Sequence, residues 1–492
     1  MTTLLPILND RFHGLDHYQQ RTGSSYAILP CRFIALDADR YVLTNFVGEY
    51  AVLSRDLLHQ FVRHQLDQES PTYCELKSKH LLLDGDSTVA LDLLAVKYRT
   101  KQSLLANLTS LFIFVVSLRC DHSCPYCQVS RQSLNRQLYD MTWDDAARAI
   151  EFMFMSPSPS IKVEFQGGES LLNFDLIKQI VLHVEDINEK AQRDVQFVIA
   201  TNLAFLTDDV LSFCQEHGIF LSTSLDGPRE LHNRNRPRPG GDSYEVTLRG
   251  IAKAREVLGH DHVSALMTTT EASLARPEEI VDEYIRQGFS CMFLRPLSPY
   301  GFAVKTGAIA RYNVGQWLEF YQRALSYIIE LNRQGVVFRE EYTALILRKL
   351  LTPFPASYVD LQSPAGIGIA AIVFNYDGAI YASDEARMLA ETGDLRFRLG
   401  HLQTDSFADV MTSPTLIDAI SESMTESVPM CVDCGFQPYC GSDPVFHCAT
   451  QGDVVGFKPT SDFCRKNMSI FRHIILLLED DPVASNVLKN WI

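Results

Sequence analysis

Three cysteines, Cys120, Cys124 and Cys127, fall in one stretch as Cys-Asp-His-Ser-Cys-Pro-Tyr-Cys, directly after the apolar run 112–118. Thiolates are the usual ligands of iron–sulfur clusters. Three thiolates hold three irons of a four-iron cluster and leave the fourth open to a molecule from outside. An open iron that passes on one electron can start radical chemistry, the kind that removes unreactive hydrogen atoms. Zinc ordinarily takes four ligands, commonly as paired Cys-x-x-Cys units, and no partner pair lies in this part of the chain.

A second group closes the chain. Cys431, Cys434 and Cys440 stand as Cys-x2-Cys-x5-Cys, and Cys448 and Cys464 follow. Of the 12 cysteines, the scattered Cys31, Cys74, Cys214 and Cys291 read as plain buried thiols. The first residues carry no basic stretch followed by a long apolar core, and the apolar run 474–478 is far too short to cross a bilayer. A cytoplasmic protein without membrane association is expected. Thiols stay reduced there, so clustered cysteines point to metal and not to disulfides.

The chain has 492 residues, enough for two or three domains. Its 46% apolar and 21% charged residues are ordinary for a globular protein. Sixty acidic against 44 basic residues give a net charge of −16, a poor general match for nucleic acid. Arg229 to Arg238 is a candidate local basic patch.

The elements that must position the first cysteines come from residues 106–310. Short apolar runs at 112–118, 161–166, 196–201, 219–224, 263–269 and 291–294 alternate with amphipathic stretches at 143–155, 175–190, 208–217, 244–258 and 278–287. Thr142 with Asp145 reads as a capping pair, and Pro277 suits a first helical turn. Six βα units predict an α/β fold, a parallel sheet curled into a partial (β/α)6 barrel with its chemistry at the carboxyl ends of the strands. Residues 1–105 read as a small α+β module, with a linker near 100–107. Residues 311–362 read as a helical bridge. Residues 363–492 begin with the hairpin signal Asp377-Gly378 and end in the cysteine-rich tail.

With the cysteines after the first strand, this layout resembles the radical SAM superfamily over about residues 108–300. Tyr126 matches the aromatic residue common before the last cysteine. Gln166-Gly167-Gly168-Glu169, at the end of the second strand, matches the superfamily's "GGE" segment. The resemblance implies a 4Fe–4S cluster on Cys120, Cys124 and Cys127, with its open iron holding S-adenosylmethionine (SAM). It implies that Gly167, Gly168 and Glu169 receive the methionyl amine. Thr201, Asn202 and Ser224 would contact the ribose and carboxylate of SAM, and Arg236 would pair with that carboxylate. Asp226, in an Asp-Gly-Pro run, reads either as a ligand contact or as a turn residue. Met267 and Thr268 are candidates for the adenine pocket, and Arg295 for substrate or SAM.

The tail resembles the SPASM/twitch-like auxiliary-cluster domain of radical SAM peptide maturases. That pattern normally carries seven cysteines for two clusters, and five are present here; Ser363 and Ser383 stand where its earlier pair would fall, and Pro444 stands at a further position where it has cysteine. One auxiliary iron–sulfur cluster is expected, on Cys431, Cys434, Cys440 and Cys464, with Cys448 as an alternative ligand. Zinc on the same residues is the competing reading. Asp384 matches an aspartate that acts as base toward the substrate radical in the sulfatase-maturing relatives. The amino-terminal module weakly resembles the small elements that bind peptide leaders by strand addition.

The whole layout is most similar to the HxsB-type maturases of His-Xaa-Ser peptide systems. That resemblance implies a precursor peptide or small protein as substrate, an electron donor such as flavodoxin or ferredoxin, and a paired second radical SAM protein. Two other readings stand beside it: a sulfatase-type maturase forming formylglycine, and a non-catalytic zinc- or peptide-binding relative.

Overall fold

The structure, a computed structural model, describes residues 26–85, 87–356 and 358–492. The expectation drawn from the first residues of the chain lies outside this range. The chain divides into two compact units, Met1–Arg99 and Thr100–Ile492.

In the first unit three antiparallel strands, Cys31–Ala35, Arg40–Asn45 and Tyr50–Ser54, form a meander with Arg40–Asn45 in the centre. The helices Arg55–Val62 and Pro71–Ser78 follow, each capped by a serine, Ser54 and Ser70. Leu43, Leu53, Phe61 and Leu76 share the core of this unit. A further helix, Val89–Lys101, and a 3-10 turn, Ser103–Asn107, occupy most of what sequence alone assigns to a module end and linker.

The second unit is built on one nine-stranded sheet. Its strands are β1 (Leu111–Ser117), β2 (Ser160–Gly167), β3 (Asp194–Ala200), β4 (Phe220–Ser224), β5 (Val263–Thr268), β6 (Leu294–Arg295), β7 (Ala371–Phe374), β8 (Ala379–Tyr381) and β9 (Arg398–His401). The spatial order is β6-β5-β4-β3-β2-β1-β7-β8-β9. From β1 to β6 every neighbouring pair is parallel and consecutive, which is the predicted βα series. Helices Trp143–Phe154, Phe174–Ala191, Asp208–Glu216, Ser243–Leu258 and Pro277–Arg286 make the crossovers. Thr142 Oγ1 accepts from the Asp145 N–H, and Pro277 begins its helix, as their types require. Residues of β1 are buried almost throughout, as expected of a strand covered on both faces.

Two departures matter. The run 291–294 is not one strand: Cys291–Met292 pairs with Arg339–Glu340, and only Leu294–Arg295 joins the large sheet. The large sheet also does not stop at β1. Strand β7 adds in parallel to β1, with Ala371 opposite Leu111 and Phe374 opposite Phe114. Phe374 stacks on Phe112 at 6.0 Å and meets Phe114 edge-on at 5.2 Å. The β7–β8 hairpin turns at Gly378, whose φ of 82° is open to glycine.

Helices Val314–Arg333 and Glu341–Leu351 form the bridge, and the tail ends on Asp462–Asp480 and Pro482–Lys489. Among the described residues, no helix is long and apolar enough to cross a membrane.

Candidate active site

The carboxyl ends of β1 to β5 surround a cavity of ≈ 210 Å³. Cys120, Cys124, Cys127, Tyr126, Gly167, Gly168, Thr201, Asn202, Ser224 and Arg236 all line it. These positions span more than a hundred residues of chain, and only the parallel order of the strands brings them together.

The two glycines are required by backbone contact. At Gly167, with φ 140°, an added Cβ would lie 1.9 Å from the Ser117 carbonyl oxygen, and at Gly168 one would lie 2.4 Å from that of Arg119. The Gly168 and Glu169 N–H groups donate to Ser117 and Arg119 carbonyls at 2.9 and 2.7 Å. The end of β2 is thus laid directly against the start of the cysteine loop.

Glu169 lies beside the cavity, at the end of β2. It is buried and absent from the cavity lining. Its Oε1 accepts from Thr201 Oγ1 at 2.6 Å and the Leu171 N–H at 3.0 Å, and its Oε2 from the Asn202 N–H at 2.7 Å. These bonds tie the end of β2 to the end of β3. Burial pushes this carboxyl up to about 7.

Asp121 organises the cysteine loop. Its Oδ1 lies 2.8 Å from both His122 Nδ1 and Asn202 Nδ2, and its Oδ2 accepts from Arg238 Nε at 2.7 Å. Burial opposes its charge, yet the hydrogen bonds from His122, Arg238 and Asn202 hold it down to about 2. The ligating atoms of Cys120, Asp121 and His122 lie within 4.8 Å of one another. The carboxylate and imidazole are nonetheless spent on these bonds and on Ser243, 2.9 Å from His122 Nε2.

Asp226 is the residue that sequence reasoning undervalued. It is fully buried; Tyr126 Oη donates to its Oδ2 at 2.6 Å and Arg236 Nε to its Oδ1 at 3.1 Å. The Arg236 guanidinium also lies over the Tyr126 ring, 5.5 Å from its centre. The supposed basic patch dissolves in the same way. Arg229–Asn235 is helical, Arg229 pairs with Asp242 and Glu245, and Arg238 pairs with Asp121. Met267 is core, whereas Thr268 lines the cavity.

The cavity suits a polar ligand held on sulfur. Thr223 Oγ1 and Arg131 Nε line it, buried and without a hydrogen-bond partner. Burial raises the Cys120 thiol and pushes that of Cys124 up to about 12, so as free thiols they keep their protons; a metal displaces such protons outright.

In the tail, burial pushes the Cys440 thiol up to about 12, and the neighbouring Cys431, Cys434 and Cys464 add to the effect. These four form one group around Lys458, whose charge is felt by Cys431 and Cys464. Cys448 stands apart: its sulfur accepts from Arg396 Nη1 at 3.3 Å, and its charged neighbours are Arg396, Asp394 and Asp453. Among the described residues, no three of the four grouped sulfurs lie within 4.8 Å of one another. A tetrahedral zinc with Zn–S of about 2.3 Å draws its sulfurs to about 3.8 Å apart.

Ser363, Ser383 and Pro444 all have local structural work. Ser363 Oγ bonds the Glu426 carboxylate and accepts from the Thr425 N–H. Ser383 caps the helix Asp384–Ala390, and Pro444 opens the helix Pro444–Gln451. Asp384 is buried beside Arg387, 3.7 Å from its Nε, and its Oδ1 lacks a hydrogen-bond partner. Burial raises its carboxyl. It is not part of the cavity lining. It is near enough to Glu164 and Arg295 for their charges to interact, and Glu164 in turn accepts from the cavity-lining Gln166 at 2.8 Å.

Comparison with known proteins bears on this arrangement. Residues 114–286 match the radical SAM superfamily. This stretch is a radical SAM domain. An uncharacterised protein of Methanocaldococcus jannaschii is 30% identical over 190 residues, 38% of this chain and 62% of that protein. The chain thus spans less than two thirds of that relative. The cysteine-type anaerobic sulfatase-maturating enzyme of Clostridium novyi is 21% identical over 379 residues, 74% of this chain and 96% of the other. Among solved structures, native anSMEcpe with bound AdoMet and Kp18Cys peptide shares the fold, with a TM-score of 0.63 and 18% identity over 78% of this chain and 99% of that one. The cofactors of a radical SAM domain are a 4Fe–4S cluster and SAM, and the donor set around the cavity fits both.

Proposed function

We propose that the protein is a radical SAM maturase that modifies a ribosomally made peptide or small protein. The observation that carries this reading is the cavity at the ends of β1 to β5, where three thiols, a Gly-Gly backbone, Ser224 and Arg236 converge. Cys120, Cys124 and Cys127 would hold the cluster. Gly167 and Gly168 expose backbone toward the methionyl end of SAM, and Ser224 and Arg236 take its carboxylate, the guanidinium by its fork geometry. When bound, the reduced cluster supplies one electron that splits SAM into methionine and a carbon radical able to remove a substrate hydrogen. Asp226 fixes Arg236 and Tyr126 in place, and Glu169 fixes Thr201 and Asn202.

The tail group Cys431, Cys434, Cys440 and Cys464 is proposed to hold one auxiliary iron–sulfur cluster. Asp384 is proposed as a base for the substrate, supported by its buried Oδ1, which has Arg387 as an ion-pair neighbour but no hydrogen-bond partner. The likeness to the sulfatase-maturating enzyme of Clostridium novyi and to the peptide-bound structure supports a protein or peptide substrate. A His-Xaa-Ser substrate, a flavodoxin- or ferredoxin-type donor, a paired radical SAM protein and a cytoplasmic location extend the same reading, as does leader binding by the amino-terminal meander.

A formylglycine-forming role is the second reading, favoured by the likeness to the Clostridium novyi enzyme along 96% of its length. Anaerobic reconstitution followed by reduction in the presence of SAM tests the proposal. Release of 5′-deoxyadenosine, together with a mass change in a co-expressed His-Xaa-Ser peptide, supports it. Conversion of a sulfatase peptide instead selects the second reading, and colourless protein carrying zinc alone overturns both.

A further inference from the structure

We propose that a second cavity, lined by Arg295, Asp360, Glu385, Asp443, Lys466 and Tyr300, binds the cationic side chain of a residue in the peptide substrate. This deepens the maturase reading and rests on it for the nature of the substrate.

The cavity measures ≈ 170 Å³ and lies wholly within the second unit. A single water needs only about 10–15 Å³, so the space suits a side chain. Its walls come from β6, the bridge helices and the tail. Two wall residues sit beside the positions where the superfamily resemblance would put cysteines: Glu385 follows Ser383 by two residues, and Asp443 directly precedes Pro444. Carboxylates and aromatic rings fill a region where that resemblance places metal ligands.

Charge and geometry indicate the occupant. Four carboxylates, Asp360, Glu385, Asp443 and the exposed Asp462, line the cavity against two cations, Arg295 and Lys466. Arg295 Nη2 stands 3.7 Å from Glu385 Oε1, an ion pair without close contact. Lys466 Nζ lies over the rings of Tyr342 and Phe463, at 5.4 and 5.2 Å, so the wall already accommodates a cation by its π faces. Burial together with Asp360, Asp384 and Asp443 pushes the Glu385 carboxyl up to about 8 although Arg295 opposes the shift, so its one counter-charge is outweighed. A buried carboxylate needs such a partner.

Two residues of the lining also carry a buried donor without a partner. Tyr300 Oη and Trp317 Nε1 are buried, line the cavity and have no hydrogen-bond partner. A cation does not satisfy an N–H donor, whereas a peptide carbonyl does. The two demands together describe one residue of a peptide, its charged end among the carboxylates and its backbone oxygen on Tyr300 or Trp317. Arg295 is the register partner of Thr268, which lines the SAM cavity. A residue held here would therefore place its chain neighbours at the mouth of the radical chemistry.

Calorimetry on the full-length, anaerobically reconstituted protein tests this with Nα-acetyl methylamides of lysine, arginine, histidine and leucine as probes. At least one basic amide should bind tenfold or more tightly than the leucine amide. Glu385→Gln should remove at least tenfold of that preference, and Tyr300→Phe should weaken the basic amide about threefold. Equal affinity for leucine and all three basic amides overturns the proposal. So does a preference that survives in both variants. If Glu385→Gln fails to fold, the wild-type discrimination and Tyr300→Phe decide. Wild-type protein that releases 5′-deoxyadenosine on reduction but does not discriminate loses the pocket and keeps the enzyme assignment. Protein that discriminates but never cleaves SAM keeps the pocket and loses that assignment.

Discussion

Tyr126 donates its hydroxyl to Asp226 Oδ2 at 2.6 Å, joining the residue before the last cluster-loop cysteine to the end of β4 a hundred positions away. Arg236 takes the other oxygen of the same carboxylate. Asp226→Asn leaves Arg236 as a largely buried cation without its partner. The variant should lose roughly 3–5 kcal/mol, the range for a buried ion pair stripped of one member, and bind SAM more weakly. Tyr126→Phe should lose only about 1.5–3 kcal/mol, one hydrogen bond to a charged group. Urea unfolding and SAM calorimetry measure both, and equal losses in the two variants would contradict the shared-carboxylate account.

Iron content separates the cysteines. Two four-iron clusters predict about eight irons per reconstituted chain. Cys124→Ala and Cys440→Ala should each lose about half of them, and Cys124→Ala alone should abolish SAM cleavage. Cys448→Ala should keep the full count, because its sulfur faces Arg396 and not the tail group. Iron assays with electron paramagnetic resonance of the reduced protein read all three.

Gly168→Ala puts a methyl 2.4 Å from the Arg119 carbonyl oxygen and 2.5 Å from that of Leu118. Neither neighbour is a flexible side-chain tip. The strand end must retreat from the cysteine loop, at about 1–3 kcal/mol for an overpacked contact. Weaker SAM binding should accompany the lost stability. The exposed Gly218→Ala, where nothing lies within 4 Å, is the control for a positive-φ glycine without a close neighbour.

Glu169 makes a prediction about pH. Burial raises its carboxyl from 4.5 to about 7 in the folded protein. The folded state then holds a proton that the unfolded chain has released. The stability it contributes is fully present below about 4.5 and is lost as pH rises through about 7. Glu169→Gln cannot titrate, so wild-type stability minus variant stability should fall across this window. Denaturant midpoints for both proteins at several pH values between 4 and 8 check the sign, and a difference that rises with pH would refute it.

What the sequence made legible was local. Two patterns locate strands to within a residue or two: β1 is an apolar run covered on both faces, and β2 alternates apolar with polar residues. The cysteine loop and the Gly-Gly turn are readable because their chemistry is carried by residue type and spacing alone. The helix Val89–Lys101 is not readable in this way: Leu91, Leu93 and Val96 are exposed, so its apolar residues mark no single face. Glu169 matched a motif, yet its side chain turns inward, and motif identity does not specify which way a carboxylate points. Asp226, Glu385 and Asp443 acquire their roles from partners tens to hundreds of residues away. Asp-Gly at 226–227 was the available signal for the first, and it describes a turn equally well.

Strand β7 has one further consequence. Its four residues close the flank of β1, with Phe374 seated against Phe112 and Phe114. Cutting the chain anywhere between Arg295 and Ala371 would bare a row of aromatic side chains along an unsatisfied ribbon of amides, an invitation to aggregate. The auxiliary region is therefore no interchangeable cassette. A chimera that borrows another enzyme's tail would have to import a matching seam as well.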